Sequence, residues 1–134
     1  MTKKTFLYIF LLFTAACANK GTKNTGKVFY RILKEQDYER IAPMLDKEVK
    51  DSLDFYLWKT VLPEIQEQRG KLLKAEPVKI LKQYDKDQNQ ITYIEYKVWY
   101  RKAKYLEELI LIKRKNSDST KIYQYNFSVK KLEK

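Results

Sequence analysis

The chain has 134 residues, with 28 Lys/Arg against 17 Asp/Glu, a formal net charge of +11, one cysteine and no histidine. The missing histidine excludes Ser-His and Cys-His nucleophilic pairs, an imidazole base and the usual zinc ligands. A single cysteine excludes an internal disulfide, and three scattered glycines, at 21, 26 and 70, cannot build a glycine-rich phosphate cradle.

Lys3 and Lys4, the apolar run Phe6 to Phe13 and the small residues Thr14 to Ala16 follow the order of a secretory signal. The run is too short for a ~30 Å hydrocarbon core, which takes about 20 residues. Cys17 stands directly after it. This placement resembles the lipobox of bacterial lipoproteins, although Thr14 replaces the leucine usual in that family. The resemblance implies cleavage before Cys17 and a diacylglycerol thioether on it, hence a membrane anchor in a bacterial cell envelope. Two or three acyl chains, at about 0.8 kcal/mol per buried CH₂, hold such a protein permanently. Ala18 follows in place of the aspartate that retains lipoproteins at the inner membrane, so the resemblance favours an outer membrane where one exists. The alternative is that Ala16-Cys17-Ala18 is an ordinary cleavage site, which releases a secreted, soluble protein.

The expected organisation is a signal peptide over 1–16, a lipid-anchored flexible tether over 17–26, and a single domain over 27–134. The tether is polar and contains Gly21 and Gly26. From Lys27, the residues Val28, Phe29, Ile32 and Leu33 form a helical stripe, predicting a helix over 27–36. Asp37 is placed to cap a second helix, Tyr38 to Leu45, which Pro43 disturbs. Asp51 or Ser52 then opens a long third helix with Leu53, Leu57, Val61 and Ile65 four apart. Pro63 predicts a kink or restart near Leu62, and Gly70 the stop.

After Gly70 the period changes from helical to two. Leu72 to Tyr84 reads as an edge strand interrupted by Pro77. Thr92 to Arg101 puts Ile94, Tyr96, Val98 and Tyr100 on one face, and Tyr93, Glu95, Lys97 and Trp99 on the other. Tyr105 to Lys115 is apolar on both faces and reads as central. Lys121 to Lys130 alternates again, with Tyr123, Tyr125, Phe127 and Val129 inward. Helices followed by four antiparallel strands predict an α+β fold, N-terminal helices packed on a curved four-stranded sheet.

That order, with the runs Phe29-Tyr30-Arg31-Ile32-Leu33, Gln68-Arg69-Gly70-Lys71, Tyr96-Lys97-Val98-Trp99-Tyr100 and Lys121-Ile122-Tyr123-Gln124-Tyr125, resembles the nuclear transport factor 2-like superfamily and its cystatin-like cone. The resemblance implies a pocket enclosed by helices and sheet. It leaves function open, since members include transport adaptors, isomerases and dehydratases. Tyr56, Tyr96, Tyr100, Tyr123 and Tyr125 are the expected pocket lining. No acidic residue falls on those inward positions, and Asp54 falls off the apolar stripe. The outward Tyr93 and Trp99 form a candidate partner patch.

Together these features predict a non-catalytic envelope lipoprotein, without cofactor or metal, whose domain binds an envelope protein or a small apolar or anionic ligand, as a monomer or homodimer. One alternative is a pocket enzyme of isomerase or lyase type, which needs a buried carboxylate facing a tyrosine. Another is a polyanion-binding module. The positive excess sits in the second half, sixteen Lys/Arg against eight Asp/Glu over residues 71–134, and interleaved Tyr and Lys suit stacking with phosphate contact. Export argues against nucleic acid as the partner.

Overall fold

The computed structural model describes residues 24–51 and 53–133, with side chains throughout except over 53–57. The expected signal peptide over 1–16, Cys17, Ser52 and the side chains of Asp54 and Tyr56 therefore lie outside the described residues.

The first helix, α1, spans residues 24–35, so it begins inside the stretch expected to be tether. Pattern alone does not extend it there, because Asn24 and Thr25 are polar and Gly26 is a poor helix former. Tertiary packing does: the Tyr96 hydroxyl occupies the space where a Cβ on Gly26 would sit. The chain next forms a 3-10 helix, Tyr38–Met44, with Pro43 inside and no side-chain cap from Asp37. A four-residue helix that the sequence did not reveal, α2 (Lys47–Lys50), is capped by the Asp46 carboxylate, which accepts from the Glu48 N–H at 3.2 Å. Asp51 ends this helix instead of opening the next. The long helix α3 (Leu53–Arg69) runs through Pro63 without a restart, and Leu62 and Ile65, buried on either side of the proline, press that stretch onto the core.

Gly70 has φ +82, and a Cβ there would lie 2.9 Å from the Arg101 Cβ. A glycine is required at this helix exit for both reasons. The exit is clasped by Lys102 N–H donating to the Arg69 carbonyl at 2.8 Å and Arg101 N–H to the Lys71 carbonyl at 2.9 Å.

Four strands follow: β1 (Leu72–Tyr84), β2 (Gln90–Tyr100), β3 (Lys104–Lys113) and β4 (Thr120–Leu132). They pair in sequence order as one antiparallel meander, which makes the fold α+β. The β1–β2 turn is organised by Asp85, whose side chain accepts from Asp87 N–H and Asn89 N–H, both at 2.9 Å. Strand β2 alternates as its sequence demands, with Thr92, Ile94, Tyr96, Val98 and Tyr100 buried. Phe29, Ile32 and Leu33 of α1 and Leu62 and Ile65 of α3 share one core cluster with Ile94, Val98, Leu109, Leu111 and Ile122. No helix among the described residues is long and apolar enough to cross a membrane.

Four register shifts shape the sheet. In β1 the register shifts between Leu72 and Lys74 and again between Pro77 and Lys79, as expected of an edge strand carrying proline. Between β3 and β4 it shifts at Ile110/Leu111, where Gln124 and Ile122 are the partners and Tyr123 is the extra residue. This bulge corrects the expected inward face of β4: Ile122 is fully buried, while Tyr123 is 37% exposed on the other side. The fourth shift, from Leu106↔Lys130 to Glu108↔Asn126, leaves Glu107 alone opposite 127–129.

Candidate functional site

The reading of the inward positions as free of acid is overturned by Glu107. It pairs with Tyr96 across the β2–β3 ladder and shares the core face with Leu109 and Leu111, and its side chain is fully buried. Its Oε1 accepts from the Tyr30 hydroxyl at 2.9 Å and from the Tyr125 hydroxyl at 2.7 Å. Its Oε2 accepts from Arg69 at 3.0 Å and from the Tyr100 hydroxyl. A carboxylate offers about four lone-pair sites, and all four are taken.

Each partner is placed by a separate element. Tyr30 comes from the buried stripe of α1, Tyr100 from the end of β2, and Tyr125 from β4 just past its bulge. Arg69 is the last residue of α3. Its guanidinium lies 3.4 Å from the Tyr105 ring centroid, a stacked arrangement suited to a planar cation. Its Nη2 donates to the Phe127 carbonyl at 2.8 Å and to Ser128 Oγ at 3.3 Å, in the β4 segment that the Leu106/Glu108 register shift leaves unpaired. Burial pushes the Glu107 carboxyl above its ordinary range, and the hydrogen bonds from Tyr100, Tyr125 and Tyr30 and the Arg69 charge offset this in part. Tyr30 and Tyr125 are raised too, chiefly by burial and then by the Glu107 charge.

Beside this cluster, between α1 and the first two strands, lies an open cleft of about 560 Å³, within the range of small-molecule sites. Tyr30 and Tyr96, with ring centroids 4.6 Å apart, form part of its lining. Leu72, Leu73, Ala75, Pro77 and Ile80 of β1 and Ile94 of β2 supply apolar wall. Lys27, Arg31, Lys34 and Lys74 also line it, and no acidic residue does so among the described residues. Burial pushes the Tyr96 hydroxyl up to about 12, keeping it neutral.

A second recess of about 340 Å³ opens on the opposite sheet face and is lined by Tyr93, Tyr123, Glu48, Asp85, Asp87 and Arg114 among others. The cation that lines it is paired. Arg114 donates to both Asp46 oxygens, at 2.6 and 3.2 Å, and lies 3.3 Å from Glu48, while the Tyr123 hydroxyl donates to Glu48 at 3.2 Å.

The expected site residues thus separate. Tyr96 lines the cleft, Tyr100 and Tyr125 bind Glu107, and Tyr123 belongs to the other face. Tyr93 and Trp99 share a strand face but stand six residues apart, roughly 20 Å along the strand. Trp99 is half-buried, with Lys74 Nζ at 4.3 Å and Lys97 Nζ at 5.2 Å from its ring centroid. Glu107, its partners Tyr30 and Arg69, and Lys82 escaped sequence reasoning. Glu107 has the parity of Leu109 and Leu111, which marks it as inward once β3 is taken as central. Lys82, paired with Thr92 on the core face, is 3% exposed, and its Nζ has no hydrogen-bond partner among the described residues. Burial, with Lys113 nearby, pulls it below its ordinary value.

Comparison with protein-family models, with curated proteins and with solved structures finds no match.

Proposed function

We propose that this protein is a non-catalytic cell-envelope lipoprotein, anchored through Cys17, whose α+β domain is a nuclear transport factor 2-like cone that binds a small ligand. The saturation of Glu107 carries the non-catalytic part. A general base needs a free lone pair within reach of the substrate proton, whereas this carboxylate spends all four on Tyr30, Tyr125, Tyr100 and Arg69. The open cleft beside it supports binding. Helices ahead of a four-stranded antiparallel meander support the cone.

The anchor is tested by acyl labelling and fractionation. Wild type carries label and sediments with membranes, and Cys17→Ser loses the label and becomes soluble; a wild type without acyl mass in the soluble fraction overturns the anchor. A second reading, an isomerase or lyase, has one observation in its favour: Tyr30 lines the cleft and also donates to Glu107. Exchange of a carbon-bound proton in a panel of ketones and hydroxy acids, catalysed by wild type and lost in Tyr30→Phe, would establish that reading in place of the first.

A further inference from the structure

We infer that the cleft between α1 and β1 takes an amphipathic anion: an apolar chain with a carboxylate or phosphate head. The inference rests on the binding-module reading and names the ligand class. The wall and the rim argue for it separately.

The wall presents apolar surface that the fold leaves uncovered. Leu73 is 44% exposed although it lines a concave site, and Ala75, Pro77 and Ile80 continue the surface along β1. The two register shifts in this strand fall at Leu72/Lys74 and Pro77/Lys79, within the wall and on either side of Ala75. Bulges re-aim side chains and end regular pairing at an edge, so this edge is shaped for something other than another strand.

The rim supplies charge of one sign. Lys27, Arg31 and Lys34 are spaced four and three apart, which stacks them on one face of α1. All three are exposed, and no ion pair holds them among the described residues. Like charges at this spacing destabilise a helix slightly. Lys74 also lines the cleft, but its Nζ is engaged elsewhere, 3.5 Å from Glu76 and over the Trp99 ring, so the rim charge is that of α1. In the second recess, by contrast, Arg114 is matched by Asp46 and Glu48. An anionic head among the α1 cations, with its chain along β1, completes both surfaces.

Depth limits the chain. Tyr30 and Tyr96 are fixed, the first by its bond to Glu107 and the second by its packing on Gly26, so the ligand lies along the cleft and does not thread into the core. A single acyl chain suits this shape.

The test uses the full chain carrying Cys17→Ser, titrated calorimetrically with laurate below its micelle concentration, with dodecyltrimethylammonium, which keeps the tail and reverses the head, and with inorganic phosphate, which has no tail. Laurate binds saturably at one site, and the other two bind at least tenfold more weakly. Arg31→Glu with Lys34→Glu weakens laurate at least tenfold, and Ala75→Phe, which fills the wall and keeps every charge, does the same; circular dichroism verifies that both variants are folded. Equal binding of the cationic amphiphile, or no effect of either variant, overturns the inference. So does retention on phosphatidylglycerol vesicles without saturable laurate binding, which assigns the cations to a bilayer surface. The acyl-labelling result is independent of these titrations, so loss of the ligand class leaves the anchor standing, and loss of the anchor leaves the ligand class standing.

Discussion

Two neighbouring regions share Tyr30 and use polarity in opposite ways. At Glu107 four donors from four elements converge on one buried carboxylate, with every lone pair matched. Across the Tyr30 ring, three cations of α1 line a cleft with an apolar wall, and no acid lines it among the described residues. Buried polar groups must be paired, since an unpaired one costs about 1–3 kcal/mol and a charge more. Surface cations are under no such requirement. The matched cluster is therefore an internal fastener holding α1, α3 and both sheet halves together, and the unmatched rim is where the molecule remains open to something else.

The contrast breaks most severely at Glu107. Glu107→Leu strands Arg69 and three hydroxyls in the core and lowers stability by about 3–5 kcal/mol, a large share of the ~5–15 kcal/mol that holds a domain. Adding Arg69→Met to it recovers part of the loss, because no buried charge is then left over. Urea unfolding reads both.

Asp46, the matched charge of the second recess, comes next. Burial raises its carboxyl, but the Arg114 hydrogen bond, the Glu48 N–H and the Arg114 charge outweigh burial and hold it below its ordinary value of 3.8. Its contribution is therefore full above pH 3.8 and is lost as pH falls through the lower folded value. Asp46→Asn costs about 1.5–3 kcal/mol at neutral pH and flattens the acid limb of a stability-against-pH curve.

Gly26→Ala, usually favourable in a helix, here drives a methyl into Tyr96 at the cleft. It lowers the thermal midpoint by the equivalent of about 1–3 kcal/mol. The smallest effect has the opposite sign. Lys82→Met replaces a buried, unpartnered amine with a chain of similar shape and stabilises by about 1 kcal/mol at neutral pH. Because the folded Lys82 lies below 10.5, the wild type gains on the variant as pH rises through that depressed value, and the gain is complete above 10.5.

Much of this architecture is legible in the sequence because the side-chain period changes at Gly70. The alternation of Thr92 to Tyr100 names the buried face of β2 residue by residue, and Gly70 is forced by a left-handed backbone at a crowded exit. The misses arise where the period is broken by one residue or a helix is too short to have one. Tyr123 faces outward because a bulge adds a residue to β4, and a bulge depends on how two strands meet. Helix α2 offers four residues and no apolar repeat. Glu107 had the right parity, but a carboxylate reads as solvent-facing until its partners are known, and Tyr30 lies 77 residues away in sequence.

That separation bears on the order of events during synthesis. Every strand of the meander pairs with its neighbour in sequence, so the sheet closes through short loops at small entropic cost. Helix α1 emerges from the ribosome long before the partners of its buried face exist. Phe29 packs on Trp58 and Tyr125, and the Tyr30 hydroxyl has no carboxylate to meet until residue 107 has been made. The first helix is thus the one that the rest of the chain commits last. This fold thereby stores the folding of its first helix in residues that arrive late.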